Sequence, residues 1–327
     1  MFDSSTSIQH AMGQQQPLVS IISINFNSLE VTSEMIDSVL NNSYKNIELI
    51  VVDNASKECP KQFLETNYPE VKVILSKENL GFAGGNNLGI RACNGKFILF
   101  LNNDAVLTDG CIERMLALFK QRPNLGIISP KICYFNTANA PQKDLIQYVG
   151  TTAVHPITAR NKTIGEGELD CDQFTHPTPT AYAHGCAMMI KEEILTEVGM
   201  MSEDFFLYYE ELDWCERIRQ AGYEIFVEPN AKVYHKESYS VQKISALKTY
   251  FINRNRILFM RRHRRPWELV GFYIFLMFFT IPKNAIRLLV NRDFANFKAF
   301  FKAIYWHFTE GKTITKPYLN YELPKTN

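Results

Sequence analysis

Apolar residues in the first half of the chain fall into short solid runs separated by stretches of helical spacing. Residues 18–25 read Leu-Val-Ser-Ile-Ile-Ser-Ile-Asn, a run of the length and β-branched content of one buried strand. Similar runs at 47–52, 71–75, 97–101 and 126–129 predict further strands. Helical patterns occupy 30–40, 61–66, 84–92 and 111–120 between them. Alternation at this pace predicts an α/β domain, a mainly parallel sheet with helices on both faces. Ligands of such sheets bind beyond the carboxyl ends of the strands. Asp53 follows one predicted strand and Asn102-Asn103-Asp104 follows another, so both acids fall where a ligand is expected. Residues 134–180 are polar and broken by Pro141, Pro156, Pro177 and Pro179, and read as an excursion over that face. Regular pattern resumes in a strand at 187–190 and helices at 191–198 and 211–221, the last capped by Gly222. Short strands at 225–227 and 232–234 complete the domain.

The last third changes character. Arg254, Arg256, Arg261, Arg262, Arg264 and Arg265 form a dense basic run ahead of an apolar stretch at 269–281, which Pro282 and Lys283 are expected to end. That stretch is shorter than the roughly 20 residues of a spanning helix. Beyond it, Phe294, Phe297, Phe300, Phe301, Ile304, Tyr305 and Phe308 recur at helical spacing. Residues 246–310 hold twelve Lys and Arg against three acids, while the first 245 residues carry about −10. An acidic body with a basic, aromatic tail predicts a peripheral anchor on an anionic membrane surface. The bland alternative is a helical cap packed on the body or on a second copy in a homodimer. No nucleic-acid-binding motif is present. Seven Cys without a C-x-x-C pair argue for a reducing compartment, and the polar first seventeen residues read as a disordered lead, not a signal peptide. The expected organisation is a lead at 1–17, a catalytic domain at 18–240 and a helical tail at 241–327, on the cytoplasmic face of the plasma membrane.

Three acidic clusters carry candidate chemistry: Asp53, Asp104 and Glu210-Glu211-Leu212-Asp213. A carboxylate at a strand end can accept hydrogen bonds from a base or ribose. A carboxylate with a His can hold Mg²⁺ or Mn²⁺ across two phosphates. A third carboxylate can serve as general base. The acids that open the helix at 211 also meet its N-terminal dipole favourably, which alone would account for one of them.

Several segments resemble family-2 glycosyltransferases of the GT-A fold, a Rossmann-like α/β architecture, and in particular a rhamnosyltransferase-like branch that builds bacterial surface polysaccharides. They are 19–27, Val51-Val52-Asp53-Asn54-Ala55-Ser56, Asn79-Leu80-Gly81-Phe82-Ala83-Gly84-Gly85-Asn86-Asn87-Leu88-Gly89, Leu101-Asn102-Asn103-Asp104, 206–214 and Tyr234-His235. The resemblance implies a nucleotide-diphosphate sugar donor, dTDP-rhamnose or a UDP-sugar, and inverting transfer to a glycan or polyprenyl-linked acceptor. It puts Asp53 on the nucleoside, Asp104 and His235 on the metal, and Glu211 in place of the base, with Asp213 the nearby alternative. Asn25, Asn27, Asn79, Gly84, Gly85, Asn86, Asn102 and Asn103 would complete the donor site, and His184 and Trp214 the acceptor side. Asn102 departs from the first Asp of the family's D-x-D pattern, Glu211 is one methylene longer than the usual Asp, and Ser202 stands where relatives often carry Asp. Two other classes remain in view. A sugar-nucleotide nucleotidyltransferase would need a Gly-rich basic loop after the first strand, where Asn25-Phe26-Asn27-Ser28-Leu29 stands instead. A non-catalytic glycan-binding scaffold would not require Asp104, Glu211 and His235 together.

Overall fold

The computed structural model describes residues 16–135, 144–236 and 245–309. Most of the expected lead and the boundary at 240 lie outside those residues. In chain order the strands are β1 (Val19–Asn25), β2 (Ile47–Asp53), β3 (Val71–Leu75), β4 (Phe97–Leu101), β5 (Ala105–Leu107), β6 (Leu125–Tyr134), β7 (Ile146–Tyr148), β8 (Thr178–Pro179), β9 (Ala187–Lys191) and β10 (Glu224–His235). They form one sheet in the order β3-β2-β1-β4-β9-β6-β10-β5, with β7 beside β6 and β8 beside β10. β3, β2, β1 and β4 run parallel, as do β6 and β10, while β9 is antiparallel to both neighbours. The sheet is therefore mainly parallel with an inserted reversed strand.

The helices are α1 (Leu29–Leu40), α2 (Lys61–Asn67), α3 (Gly81–Ile90), α4 (Cys111–Gln121), α5 (Leu195–Val198), α6 (Glu210–Gln220), α7 (Ser245–His263), α8 (Pro266–Phe275), α9 (Ile281–Val290) and α10 (Phe294–Thr309). Strand side chains alternate between two cores, as the period of two requires. Ile21, Val51 and Leu99 pack with Met35 of α1 and Met115 of α4. Ile22, Val52 and Phe100 pack on the other side with Ala83 of α3, Trp214 of α6 and Phe259 of α7. Helix α3 approaches β1 closely because it is glycine-rich: a Cβ on Gly89 would sit 2.4 Å from Ile22, and one on Gly85 2.9 Å from Ile24.

Four expectations change. The two short strands after Gly222 are one strand, β10, with a register shift between Glu228 and Lys232. The helix expected from residue 84 starts at Gly81. The tail does not begin as a separate unit, because α7 buries Ile257, Leu258, Phe259 and Met260 in the second core. Nor does Pro282 end the apolar helix. Pro266–Val290 runs as one 25-residue helix, within which an 18-residue stretch has a mean hydropathy of 1.6. A π-helical turn at Leu276–Thr280 precedes the proline, a place where a helix can accommodate the missing N–H.

Candidate active site

A cleft of about 430 Å³ opens at the carboxyl ends of the parallel strands. At one end, β1 and β2 finish side by side at Asn25 and Asp53. Asn25 donates to Asp53 Oδ1 at 2.7 Å, Ser56 donates to the same oxygen at 2.6 Å, and the Ser56 amide reaches Oδ2 at 3.1 Å. Asn54 ties the next turn: its amide donates to Asn79 Oδ1 and the Gly81 carbonyl, and its oxygen accepts from Leu80 N–H. Asp53 is thus buried behind a rim formed by Asn54, Asn79 and Asn86. Asn27, in a left-handed conformation at φ 54°, accepts from Lys57 N–H and pins the loop beside it.

Asp104 ends the turn after β4, and His235 ends β10, which pairs with β5. His235 Nε2 lies 3.1 Å from Asp104 Oδ1. Both atoms are buried and neither makes a well-formed hydrogen bond. The other ring nitrogen is committed, since Nδ1 donates to Gln147 Oε1 at 2.7 Å. That bond fixes the ring and turns Nε2 toward Asp104, as outer partners do for metal-bound histidines. Burial opposes a charged ring at His235, but Cys186 and Asp104 beside it prevail and raise the imidazole to about 11. The field that holds this proton favours a cation; the carboxylate oxygen suits Mn²⁺ or Mg²⁺, and the imidazole nitrogen suits the softer Mn²⁺ better. Burial, with His235 alongside, pushes His184 down to about 3, so it stays neutral. Its Nδ1 accepts from Cys186 N–H, which leaves the proton on Nε2.

The first turn of α6 also lines the cleft, through Glu210 and Glu211, and each has a buried Oε2 without a partner. Burial raises Glu211 to about 7, and burial together with the neighbouring Glu211 pushes Glu210 well above the usual carboxylate range. Two adjacent carboxyls driven apart in this way lose their protons at different pH, an arrangement suited to acid–base chemistry. The loop that delivers them is strained: Phe206, Tyr208 and Tyr209 have φ of 61°, 68° and 76°. Such residues cost about 1–3 kcal/mol each and persist only where the surroundings hold them. Helix α7 supplies the hold. The Asn255 amide lies within hydrogen-bond distance of the carbonyls of Phe205, Leu207 and Tyr208 at 2.7–2.8 Å, and Arg254 donates to Phe205 and Asp204. The Phe206 carbonyl accepts from Phe82 N–H at 2.7 Å. Gly81, at φ 70°, makes that approach possible, because a Cβ there would sit 2.1 Å from the same oxygen.

Of the residues singled out in the sequence, Asn79, Asn86, Asn102, Asn103, Asp104, His184, Glu211 and His235 line this cleft. Asn25, Asn27 and Asp53 do not line it: Asn25 and Asp53 are buried, and Asn27 is exposed. Gly84 packs against Leu80, and Gly85 against Ile24, so these glycines serve helix packing. Trp214 is fully buried, donates to the Gly199 carbonyl at 2.9 Å and does not line the cleft. Asp213 faces inward too, bonded to Arg217 at 3.0 Å and His263 at 2.8 Å, with Arg262 at 3.4 Å. Its partners, His263 first among them, overcome burial and hold its carboxyl below the usual range. Gln147, Cys186, Asn54 and Lys248 escaped the sequence reading. Gln147 carried a faint cue, a polar residue between Ile146 and Tyr148. Away from the cleft, Cys133, Asp144 and Asp170 cluster closely enough to hold a metal. Lys131 and Lys232 already neutralise those acids at 2.7–3.1 Å, which disfavours a cation there.

The description "Glycosyl transferase family 2" fits residues 20–199, more than half of the chain. A low-salt glycan biosynthesis hexosyltransferase of Haloferax volcanii is 28% identical over 79% of this chain and 79% of its own length. An uncharacterized glycosyltransferase of Rickettsia prowazekii is 30% identical over 57% of this chain, which spans 54% of that relative. Among solved structures, GalNAc-T7 with UDP, GalNAc and Mn²⁺ aligns over 92% of this chain and 59% of its own at a TM-score of 0.58 and 14% identity. The mannosyltransferase PcManGT from Pyrobaculum calidifontis with GDP-Man and Mn²⁺ aligns over 91% and 89% at 0.54, also at 14% identity. These two support the GT-A fold alone. With its mainly parallel sheet, its acids at the strand ends and a family match across the core of the domain, the chain belongs to glycosyl transferase family 2.

Proposed function

We propose that the protein transfers a sugar from a nucleotide-diphosphate donor to a hydroxyl of a glycan or polyprenyl-linked acceptor, inverting the anomeric carbon. The carrying observation is that Glu211, Asp104 and His235 line one cleft at the strand ends, each with a buried polar atom that makes no hydrogen bond. Asn54, Asn79 and Asn86, backed by Asp53, offer donors and acceptors to the nucleoside. Bound between Asp104 and His235, Mn²⁺ or Mg²⁺ would supply Lewis-acid neutralisation of the leaving diphosphate. Glu211, ionised above about 7, accepts the proton of the acceptor hydroxyl. The acceptor oxygen forms its bond to the anomeric carbon as the bond to the diphosphate breaks, and the bonding pair leaves with the diphosphate. UDP and GDP-Man, each with Mn²⁺, are what the two proteins of similar fold hold, and they are of the donor class and ion proposed here. The haloarchaeal relative supports a hexosyl group and glycan synthesis. The motif resemblance supports dTDP-rhamnose or a UDP-sugar and surface polysaccharide.

The apolar helix supports attachment at the cytoplasmic membrane surface. The helix is long and apolar enough to cross a membrane, and only 17% of its apolar stretch is buried, but Phe272, Leu276, Thr280 and Leu288 pack against the rest of the chain. Trp267, Val270, Ile274, Met277, Phe278 and Ile286 are exposed. That geometry favours a helix lying in the interface over one that crosses.

Thermal unfolding with dTDP-, UDP- and GDP-sugars, with and without Mn²⁺, tests the donor reading. One nucleotide class should stabilise the protein, and more strongly with Mn²⁺. No stabilisation by any of them would contradict it.

A further inference from the structure

A second cavity of about 390 Å³ lies between α7, α9, α10 and the 155–160 loop. Four cationic side chains line it: Arg160, Lys248, Arg256 and Arg287. No carboxylate does so among the described residues. Asn253, Asn284 and Thr249 add neutral polar groups, over a floor of Ile252, Leu288 and Phe300. Such a lining matches an anion that carries apolar chain.

Two neighbours narrow the choice of anion. The cavity adjoins the exposed apolar face of the 266–290 helix, since Arg287 and Leu288 belong to that helix and its Ile286, Leu289 and Val290 are exposed. The cavity also adjoins the active site. Lys248 lines both spaces, and Arg256 Nε donates at 3.2 Å to the hydroxyl of Tyr209, the residue before Glu210. We infer that this pocket receives the phosphate of a lipid-linked acceptor. The lipid tail lies along the apolar helix, and the saccharide end extends past Lys248 toward Glu211. The inference rests on the sugar-transfer reading and adds the acceptor's class and place.

Flotation of the full chain with three kinds of vesicle tests it: phosphatidylcholine alone, phosphatidylcholine with a polyprenyl phosphate, and phosphatidylcholine with phosphatidylglycerol matched for charge. Wild type should bind the polyprenyl phosphate vesicles most tightly. The double variant Arg160→Gln/Arg287→Gln should lose about tenfold or more of that preference, as for two charge-assisted hydrogen bonds to one phosphate removed. It should keep its thermal response to donor and Mn²⁺, which shows that it folds. Equal binding to phosphatidylglycerol vesicles, or an unaltered preference in the double variant, would overturn the inference. So would inorganic pyrophosphate or phosphate binding as tightly as the lipid, since the site would then serve a soluble anion. If the donor response holds while the lipid preference is absent, this inference fails and the transfer reading stands. If the lipid preference holds without any donor response, the transfer reading fails and the anion site stands.

Discussion

At the residue scale, the neighbouring acids of α6 have opposite surroundings and therefore opposite expected phenotypes. Glu211 faces the cleft with an unpartnered oxygen, and burial raises it to about 7. A general base works when deprotonated, so turnover should climb as pH rises through about 7 and level off above it. Glu211→Gln should cut turnover by roughly 10²–10⁴ with donor affinity nearly intact, and should abolish that rise. A pH profile of turnover, read beside donor affinity, checks both. Asp213 instead joins α6 to α7 through Arg217, His263 and Arg262. Its depressed carboxyl stabilises the fold above the unfolded value near 3.9, and that contribution fades as pH falls through the lower folded value. Asp213→Asn should cost about 3–5 kcal/mol in urea unfolding at neutral pH, as for a broken buried ion pair. A variant of unchanged stability but lost turnover would move the base to Asp213. These roles were half legible in the sequence. The cluster marked the site, but which acid faces the cleft depends on His263, fifty positions away, which no local pattern reveals.

At the element scale, strand identity was legible because buried runs such as Leu49-Ile50-Val51-Val52 leave few alternatives. β10 was misread because Pro229 and Asn230 interrupt its apolar pattern, whereas the sheet absorbs them in a register shift. Gln147 was hidden because β7 exists only through pairing with β6. The loop between Phe205 and Tyr209 was legible as a motif, but its strain and the clamp from Asn255 were not. Asn255→Ala leaves three carbonyls without this donor and frees the loop ahead of Glu211. Turnover should fall by roughly 10²-fold, the scale of a misplacement of about 1 Å, with a smaller change in donor affinity. Stopped-flow turnover beside equilibrium donor binding separates the two. Equal losses in both would mean that the clamp supports the donor site as a whole.

At the scale of the whole molecule, the sequence correctly pointed to a basic, aromatic last third but misplaced its basic face. Arg254 is buried, and Arg262 and Arg264 reach Asp213 and Glu216 inside the catalytic domain. Removing these arginines would damage the fold and so could not report on lipid. The exposed apolar face reports on it directly. Trp267→Ser, Val270→Ser and Phe278→Ser together should reduce co-sedimentation with vesicles more than tenfold, since each large apolar side chain contributes about 1.5–3 kcal/mol when fully buried. Thermal stability should barely change. Undiminished co-sedimentation would leave the helix as a packing or dimerisation element. The central claim joins Asp104, His235 and Glu211 in one act of sugar transfer. It is tested most directly by the rate at which nucleoside diphosphate is released from the stabilising donor, in wild type, in Asp104→Ala and in wild type treated with EDTA. The account predicts release that EDTA abolishes and added Mn²⁺ restores, and a loss of about a hundredfold or more in Asp104→Ala, on the scale of one strong electrostatic stabiliser. Full release in EDTA, or an Asp104→Ala variant as fast as wild type, would contradict it.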